Sequence, residues 1–349
     1  MGTTTKKGGN VKTITFAIPC YNSAEYMDKC IESCVACGDD VEVLIINDGS
    51  TKDNTSEKAH EWERRYPGIV RAIDKENGGH GSGVNRGIQE SNGLYYKVVD
   101  SDDWLDVDAM KKIMSYLRRQ MELRYPTDMV IANYVYEKVY EGTRTVRNYK
   151  NVFPIEREFS WSETGRWRPD QVLLMHSVIY RTQLLKDIKL QLPEHCFYVD
   201  NIFVYVPLEH VKTMYYFDLD MYRYFIGREG QSVNQEIMLS RIDQQLHITR
   251  VMIDAVDLSK IKNERLLSYL ERYLGMMMAI CSVFLRMRKT PEDEAKRHEI
   301  WNYLYARNEK LGKRLRHQPI NVTVNMESAP GRDLGLRVYG MARGIFKFN

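Results

Sequence analysis

The chain has 349 residues, 43% of them hydrophobic and 28% charged, with a formal net charge of +3. That is enough chain for a sizeable core and two domains, and the near-balanced charge supplies no global basic field for nucleic acid. No run of about 18 apolar residues is present, so no helix is expected to span a membrane.

The opening MGTTTKKGGN has no apolar signal core and reads as a flexible tail over residues 1–10. From there strands and amphipathic segments alternate. TITFAIP is a strand, Tyr26–Cys37 a helix, VEVLIIND a strand, Asn54–Tyr66 a helix and GIVRAID a third strand. A helix starts at Gly83, and LYYKVVD is a fourth strand. Such alternation predicts an α/β fold with a mostly parallel central sheet and flanking helices. Near-continuous apolar strands such as VLII fit a sheet covered on both faces. Cys30, Cys34 and Cys37 share one face of the first helix. A zinc site would want a fourth ligand and a loop spacing, so they read as a buried face. With no disulfide framework among the six cysteines, the expected compartment is reducing.

Beyond residue 128 come a strand (MVIANYVYEKVY), an Arg- and Trp-containing loop through Trp167, and LLMHSVIYRTQLL running from strand into helix. CFYVDNIFVYVPL and VKTMYYFDLDMYRYFI follow. After Val233 the pattern is helical over Glu236–Val256, Asn263–Arg288 and Glu292–Leu315. The last segment, 331–349, places Leu334, Val338, Met341, Ile345 and Phe348 on one stripe flanked by Arg337, Arg343 and Lys347. Such a stripe serves either a membrane interface or packing on the helical region.

In open parallel sheets ligands bind at the carboxyl ends of the strands. Four consecutive strand ends carry polar or Gly-rich turns: PCYN, NDGST, KENGGHGSG and DSDDW. Four at one edge suggest one shared site. The last, extended to DSDDWLD, crowds Asp100, Asp102, Asp103 and Asp106; unpaired carboxylates repel and are costly to bury, so the cluster needs a cation or open water. Asp100 and Asp102, two apart, suit a hard divalent cation bridged to phosphate. Asp106 and Asp108 suit the N-terminus of the next helix. The glycine cluster fails the dinucleotide pattern, because Arg86 stands where G-x-G-x-x-G needs its last glycine. Its backbone N–H groups ahead of a helix nevertheless favour an anion.

In this order and spacing, IPCYN, NDGSTKDNT, KENGGHGSGVNRGI and DSDDW resemble the family-2 glycosyltransferases over roughly the first 110 residues. The resemblance implies a GT-A fold, a nucleotide-diphospho-sugar donor, with UDP the expected nucleotide, Mn²⁺ or Mg²⁺, and transfer with inversion. Carried onto this chain, it places Pro19, Tyr21, Asp48, Asn77, Gly79, Asp100, Ser101 and Asp102 at the donor. Tyr21 would lie against the nucleobase, Asp48 would accept a hydrogen bond from it, and Asp102 with Asp100 would hold the metal. Asp103 is a substitute ligand. Where relatives carry a small-Arg-Asn sequence this chain has Gly83-Val84-Asn85, so Arg86 or Lys75 is left to meet the diphosphate.

On the acceptor side, Asp200 in FYVDNIF matches the family's general base, although the Glu that usually precedes it is Val199; the same Asp also suits a helix cap. Arg228, Gln231 and Ser232 in the following GREGQS resemble a segment that closes over the site. His176 lines the acceptor cleft or is simply packed, and Trp161, Trp167 and Tyr198 stack on sugars or fill core.

The expected organisation is a GT-A domain over 11–233, with a nucleotide-sugar half (11–110) and an acceptor half (111–233), then a helical region (234–330). The expected activity builds a cell-surface polysaccharide or glycolipid on a glycan or lipid-linked acceptor. The protein would be cytoplasmic, at the inner membrane face if 331–349 lies on lipid. A sugar nucleotidyltransferase and a non-catalytic nucleotide-sugar-binding scaffold are the alternatives. The former wants a Gly-rich, basic loop after the first strand, where PCYNSAEY stands; the latter would go with loss of Asp102 or Asp200, and both are present.

Overall fold

The computed structural model describes residues 11–169, 171–227 and 235–328. The chain divides into two compact units that interleave along the sequence. The first comprises the chain up to Phe159 together with Met175–His195 and Val211–Ile226. The second takes Ser160–Leu174, Cys196–His210 and the chain from Gly227.

The first unit is built on a mixed sheet. Its elements are β1 (Lys12–Cys20), α1 (Met27–Val35), β2 (Val41–Asp48), α2 (Thr55–Arg65), β3 (Val70–Lys75), α3 (His80–Glu90), β4 (Gly93–Val98), β5 (Trp104–Leu105) and α4 (Val107–Gln120). After these come β6 (Met129–Lys138), β7 (Thr143–Arg147), β8 (Glu158–Phe159), β9 (Val178–Arg181), α5 (Thr182–Asp187) and, past a short excursion, β10 (Met214–Ile226). The sheet order is β3-β2-β1-β4-β9-β6-β10-β5, with β7 beside β6 and β8 beside β10. The first four strands are parallel, as are β6 and β10, whereas β9 runs antiparallel to both β4 and β6.

β2 is buried along its whole length and β1 nearly so, because helices cover both faces of the sheet. Cys30 and Cys34 are fully buried on α1, which makes them core residues, as their spacing indicates. The order 3-2-1-4 changes direction between β1 and β4, and that reversal opens a crevice at the strands' carboxyl ends.

Helix α3 lies close on β1 because two of its three glycines face that strand. A Cβ on Gly83 would come within 2.9 Å of Pro19 Cβ. One on Gly87 would lie 2.5 Å from the Tyr96 hydroxyl and 2.8 Å from Ala17 Cβ. Gly87→Ala is therefore expected to cost roughly 1–3 kcal/mol of stability through overpacking, read as a lower urea midpoint at unchanged slope.

The second unit contains α6 (Asp200–Tyr205), α7 (Gln235–Ser240), α8 (Ile242–Ala255), α9 (Glu264–Arg288), α10 (Pro291–Arg307), α11 (Glu309–Arg316) and α12 (Pro319–Val324). Two of the three long helical stretches read from periodicity are broken, at Arg241 and at Asn308. Asn308 turns extended, and its side chain caps α11 through Leu311 N. None of the described helices is long and apolar enough to cross a membrane. The 331–349 stripe lies outside the described residues.

Candidate functional site

The four strand-end turns of the first unit are tied into a ring. Asn22, in the left-handed region at φ 50°, donates its N–H to Ser50 Oγ (2.9 Å) and accepts from the backbone of Thr51 and Lys52, joining the β1 and β2 ends. Asp48 joins β2 to the glycine turn after β3. Its carboxylate accepts from Gly79 N (2.7 Å), Gly78 N (2.9 Å), Asn77 Nδ2 (3.1 Å) and Lys75 Nζ (2.6 Å). His80, the first residue of α3, reaches Asp100 (Nε2–Oδ1 2.9 Å) and joins that turn to the end of β4. Ser101 Oγ donates to Ser23 Oγ (2.9 Å) and closes the ring back to β1.

The acidic run after β4 separates into three roles. Asp106 is a helix cap: its Oδ1 accepts from Ala109 N and its Oδ2 meets Arg223 at 2.7 Å. Asp103 is almost fully buried and accepts from the Tyr222 hydroxyl (2.7 Å) and from Phe225 N (2.8 Å). Tyr222 Oη also accepts from Asp100 N, so this one phenol holds both ends of the turn. Asp102 is half-buried and stands outside the group formed by Asp100, Asp103 and His176.

That group places two carboxylate oxygens and an imidazole nitrogen within 4.8 Å of one another. His176 sits in a three-residue 3₁₀ turn, Met175–Ser177, just before β9. Its ring stacks on Tyr222 (centroids 4.6 Å apart) and touches Tyr224 and Tyr134. Its Nδ1 is buried without a hydrogen-bond partner, 4.0 Å from Asp100 Oδ2. Burial pushes the imidazole down to about 4, so near neutral pH it offers a lone pair. A buried, unpaired ring nitrogen is costly unless something takes it. Two carboxylates and a neutral imidazole form a donor set that fits a divalent cation.

Charge around the group is uneven. Burial and the neighbouring Asp102 and Asp100 charges drive Asp103 well above the ordinary carboxyl range, outweighing its hydrogen bonds. Burial also opposes ionisation of Asp100, but the hydrogen bond and charge of His80 outweigh it, so Asp100 stays below its ordinary value. Beneath both lies Lys97, a wholly buried lysine on β4. Burial pushes it down to about 7 while Asp100 and Asp103 hold it up.

Residues 15–178 match the profile of Glycosyl transferase family 2. Those residues carry a family-2 glycosyltransferase domain. Among curated relatives, Glycosyltransferase GlyA of Streptococcus pneumoniae serotype 4 is 27% identical over 173 residues, 44% of this chain and 23% of GlyA; the match spans under a quarter of that relative's length. Among solved structures, S. aureus TarS 1-349 in complex with UDP-GlcNAc superposes with a TM-score of 0.66 at 17% identity, covering 94% of this chain and 92% of that one. The mannosyltransferase PcManGT from Pyrobaculum calidifontis, in complex with GDP-Man and Mn²⁺, gives 0.54 at 14% identity, covering 97% and 90%. These likenesses establish the GT-A fold.

In this family-2 domain Pro19, Tyr21, Asp48, Asn77, Gly79, Asp100, Ser101 and Asp102 all lie on the laced edge. Tyr21 is half exposed, with its ring available for stacking. Asp48 builds the glycine turn, so a hydrogen bond from a nucleobase would be additional to the four it already accepts. The two cations read as diphosphate partners are both engaged, Lys75 by Asp48 and Arg86 by Glu90 at 2.8 Å. Asn85 instead clasps the backbone of Leu192 through its N–H and its carbonyl.

Asp200 belongs to the second unit and is the first residue of α6, which starts one position earlier than the sequence suggested. Tyr198, two residues before it, takes a left-handed φ of 66°. Asn201 is held by the Tyr198 carbonyl and by the Tyr273 hydroxyl. Trp161 is buried against Tyr269, and Trp167 packs on the same ring at 4.2 Å. Arg228, Gln231 and Ser232 lie outside the described residues.

Sequence reading missed His80, Lys97 and Tyr222. A lone lysine inside the apolar run LYYKVVD was a usable signal. Nothing local marks Tyr222, which meets Asp103 from 119 residues away.

Proposed function

We propose that this chain is an inverting, metal-dependent glycosyltransferase that moves a sugar from a nucleotide-diphospho-sugar to a glycan or lipid-linked acceptor in cell-surface polysaccharide or glycolipid synthesis. The observation that carries this reading is the ring of four strand-end turns closing on Asp100, Asp103 and His176 in a family-2 domain. A UDP-sugar is the first donor to test, since the TarS structure holds UDP-GlcNAc.

In this reading Tyr21 packs against the base, and the backbone N–H groups at the start of α3 face the phosphates, because an eleven-residue helix presents unsatisfied donors there. Asp100 and His176, with Asp103 or Asp102, would hold Mn²⁺ or Mg²⁺. When bound, the cation neutralises charge growing on the departing diphosphate. His80 fixes the orientation of Asp100 through its Nε2 contact. Tyr222 keeps Asp103 in place from the opposite side. Asp200 takes the proton of the attacking acceptor hydroxyl.

A thermal-shift panel of UDP- and GDP-sugars, with and without Mn²⁺, tests the reading, since a ligand that binds only the folded state raises its melting temperature by mass action. The expected result is one nucleotide class that stabilises the protein, more strongly with Mn²⁺, and is slowly hydrolysed without acceptor. No stabilisation by any nucleotide-sugar would overturn it.

A further inference from the structure

Lys97 has no part in the mechanism above, yet it occupies an unusual place. It is 0% exposed, on a β4 strand that is otherwise apolar or aromatic. Fully buried lysines are rare unless paired, because desolvating an ammonium is costly. Among the described residues Lys97 forms no carboxylate salt bridge, and its one hydrogen bond goes to Met175 O, at 2.7 Å. The ammonium also lies 4.7 Å from the centre of the Tyr222 ring, an arrangement that favours a cation.

Both contacts lead to the acidic group. Met175 opens the 3₁₀ turn that carries His176. Tyr222 is the phenol that bonds Asp103 and the Asp100 backbone, and on which His176 stacks. One buried cation therefore sits behind three converging groups and orders two of the elements that present them. Carboxylates gathered within 4.8 Å repel unless compensated.

We propose that Lys97 is a built-in countercharge and positioning residue for the Asp100–Asp103–His176 group: it keeps the group assembled before a divalent cation arrives and opposes that cation's binding. The inference rests on the metal reading of the site. Its physical content is an antagonism, since the ammonium and the divalent cation are like charges stabilised by the same carboxylates. Such a device holds the ligands ready while keeping the ion exchangeable, with the donor's diphosphate needed to complete a tight site.

Lys97→Met removes both charge and hydrogen bond, and Lys97→Gln removes the charge while keeping a donor for Met175 O. Mn²⁺ binding is measured by calorimetry without nucleotide, and melting is measured in chelator and in saturating Mn²⁺. For both variants the expected Mn²⁺ affinity is on the order of tenfold higher than wild type, the scale of one unit charge removed from a partly shielded site. Their stability should fall in chelator and recover with Mn²⁺, Lys97→Gln losing less. A buried lysine with a merely structural role would lower melting equally in both conditions and leave Mn²⁺ affinity unchanged; that result overturns the proposal. So does a variant that stays unfolded in saturating Mn²⁺, because the ion should replace the lost charge. Failure of wild type and both variants to bind Mn²⁺, even with UDP, would sink the metal reading and this inference with it. Binding by wild type that the variants do not change sinks the countercharge alone.

Discussion

Asp100→Asn is expected to lower sugar transfer by roughly 10²–10³-fold, the cost usually seen when one preorganised group facing developing charge is removed. The substitution keeps the side chain's size but takes away its charge. Asp100 is the member of the acidic group that the rest of the site addresses: His80 meets one oxygen at 2.9 Å, His176 faces the other, and Tyr222 holds its backbone N–H. Loss of its charge weakens the hold on a divalent cation and frees His80. The protein should remain folded, because Asp100 is partly solvent-exposed and its backbone contacts do not depend on the carboxylate. Single-turnover transfer, together with calorimetry of Mn²⁺-dependent nucleotide binding, provides the check. Asp102→Asn is the matched comparison. Asp102 lies outside the group of three, so the pair of variants identifies which carboxylates hold the ion. Metal-dependent binding that survives Asp100→Asn but not Asp102→Asn would place the cation on the outer carboxylate.

Asp200→Asn carries the second large effect. A positioned general base contributes roughly 10²–10⁴-fold in rate, and an asparagine keeps shape and hydrogen-bonding capacity while losing basicity. Asp200 is the first residue of α6, and the adjacent Asn201 anchors that turn through the Tyr198 carbonyl and the Tyr273 hydroxyl. The scaffold of the turn therefore does not depend on the Asp200 charge. The variant should melt near wild type and bind donor and metal normally, while transferring sugar at a small fraction of the wild-type rate. Near-normal transfer to the true acceptor would move the base elsewhere, with Glu194 next in line. A loss of stability without loss of rate would mark Asp200 as a helix-start residue only.

The nucleotide-binding half was the most legible part of the chain. β1, β2, β3 and β4 follow apolar-leaning runs, and each ends at a turn whose residues announce it. Gly49 and Gly79 take positive φ there, and Asn22, a residue tolerant of the left-handed region, does the same. The long helices were legible as apolar periodicity, but their breaks were not. Arg241 and Asn308 interrupt patterns whose apolar spacing alone gives no reason to stop. Asp106 was readable as a cap because a cap acts on N–H groups two or three residues away.

The sequence by itself determined the local elements, the family and the edge of the sheet where polar groups gather. It did so because strand period, helix period and turn chemistry act over a few residues, and because four motifs in order are too specific to arise separately. Only the tertiary structure decided which groups meet. His80 faces Asp100 across 20 residues, Ser101 meets Ser23 across 78, and Tyr222 binds Asp103 across 119. The antiparallel insertion of β9 between β4 and β6 carries His176 to the acidic turn, and the burial of Lys97 beneath it follows from packing on both faces of β4. Electrostatic energy depends on distance and on the depth of burial, and neither quantity exists until segments far apart in the chain have packed together.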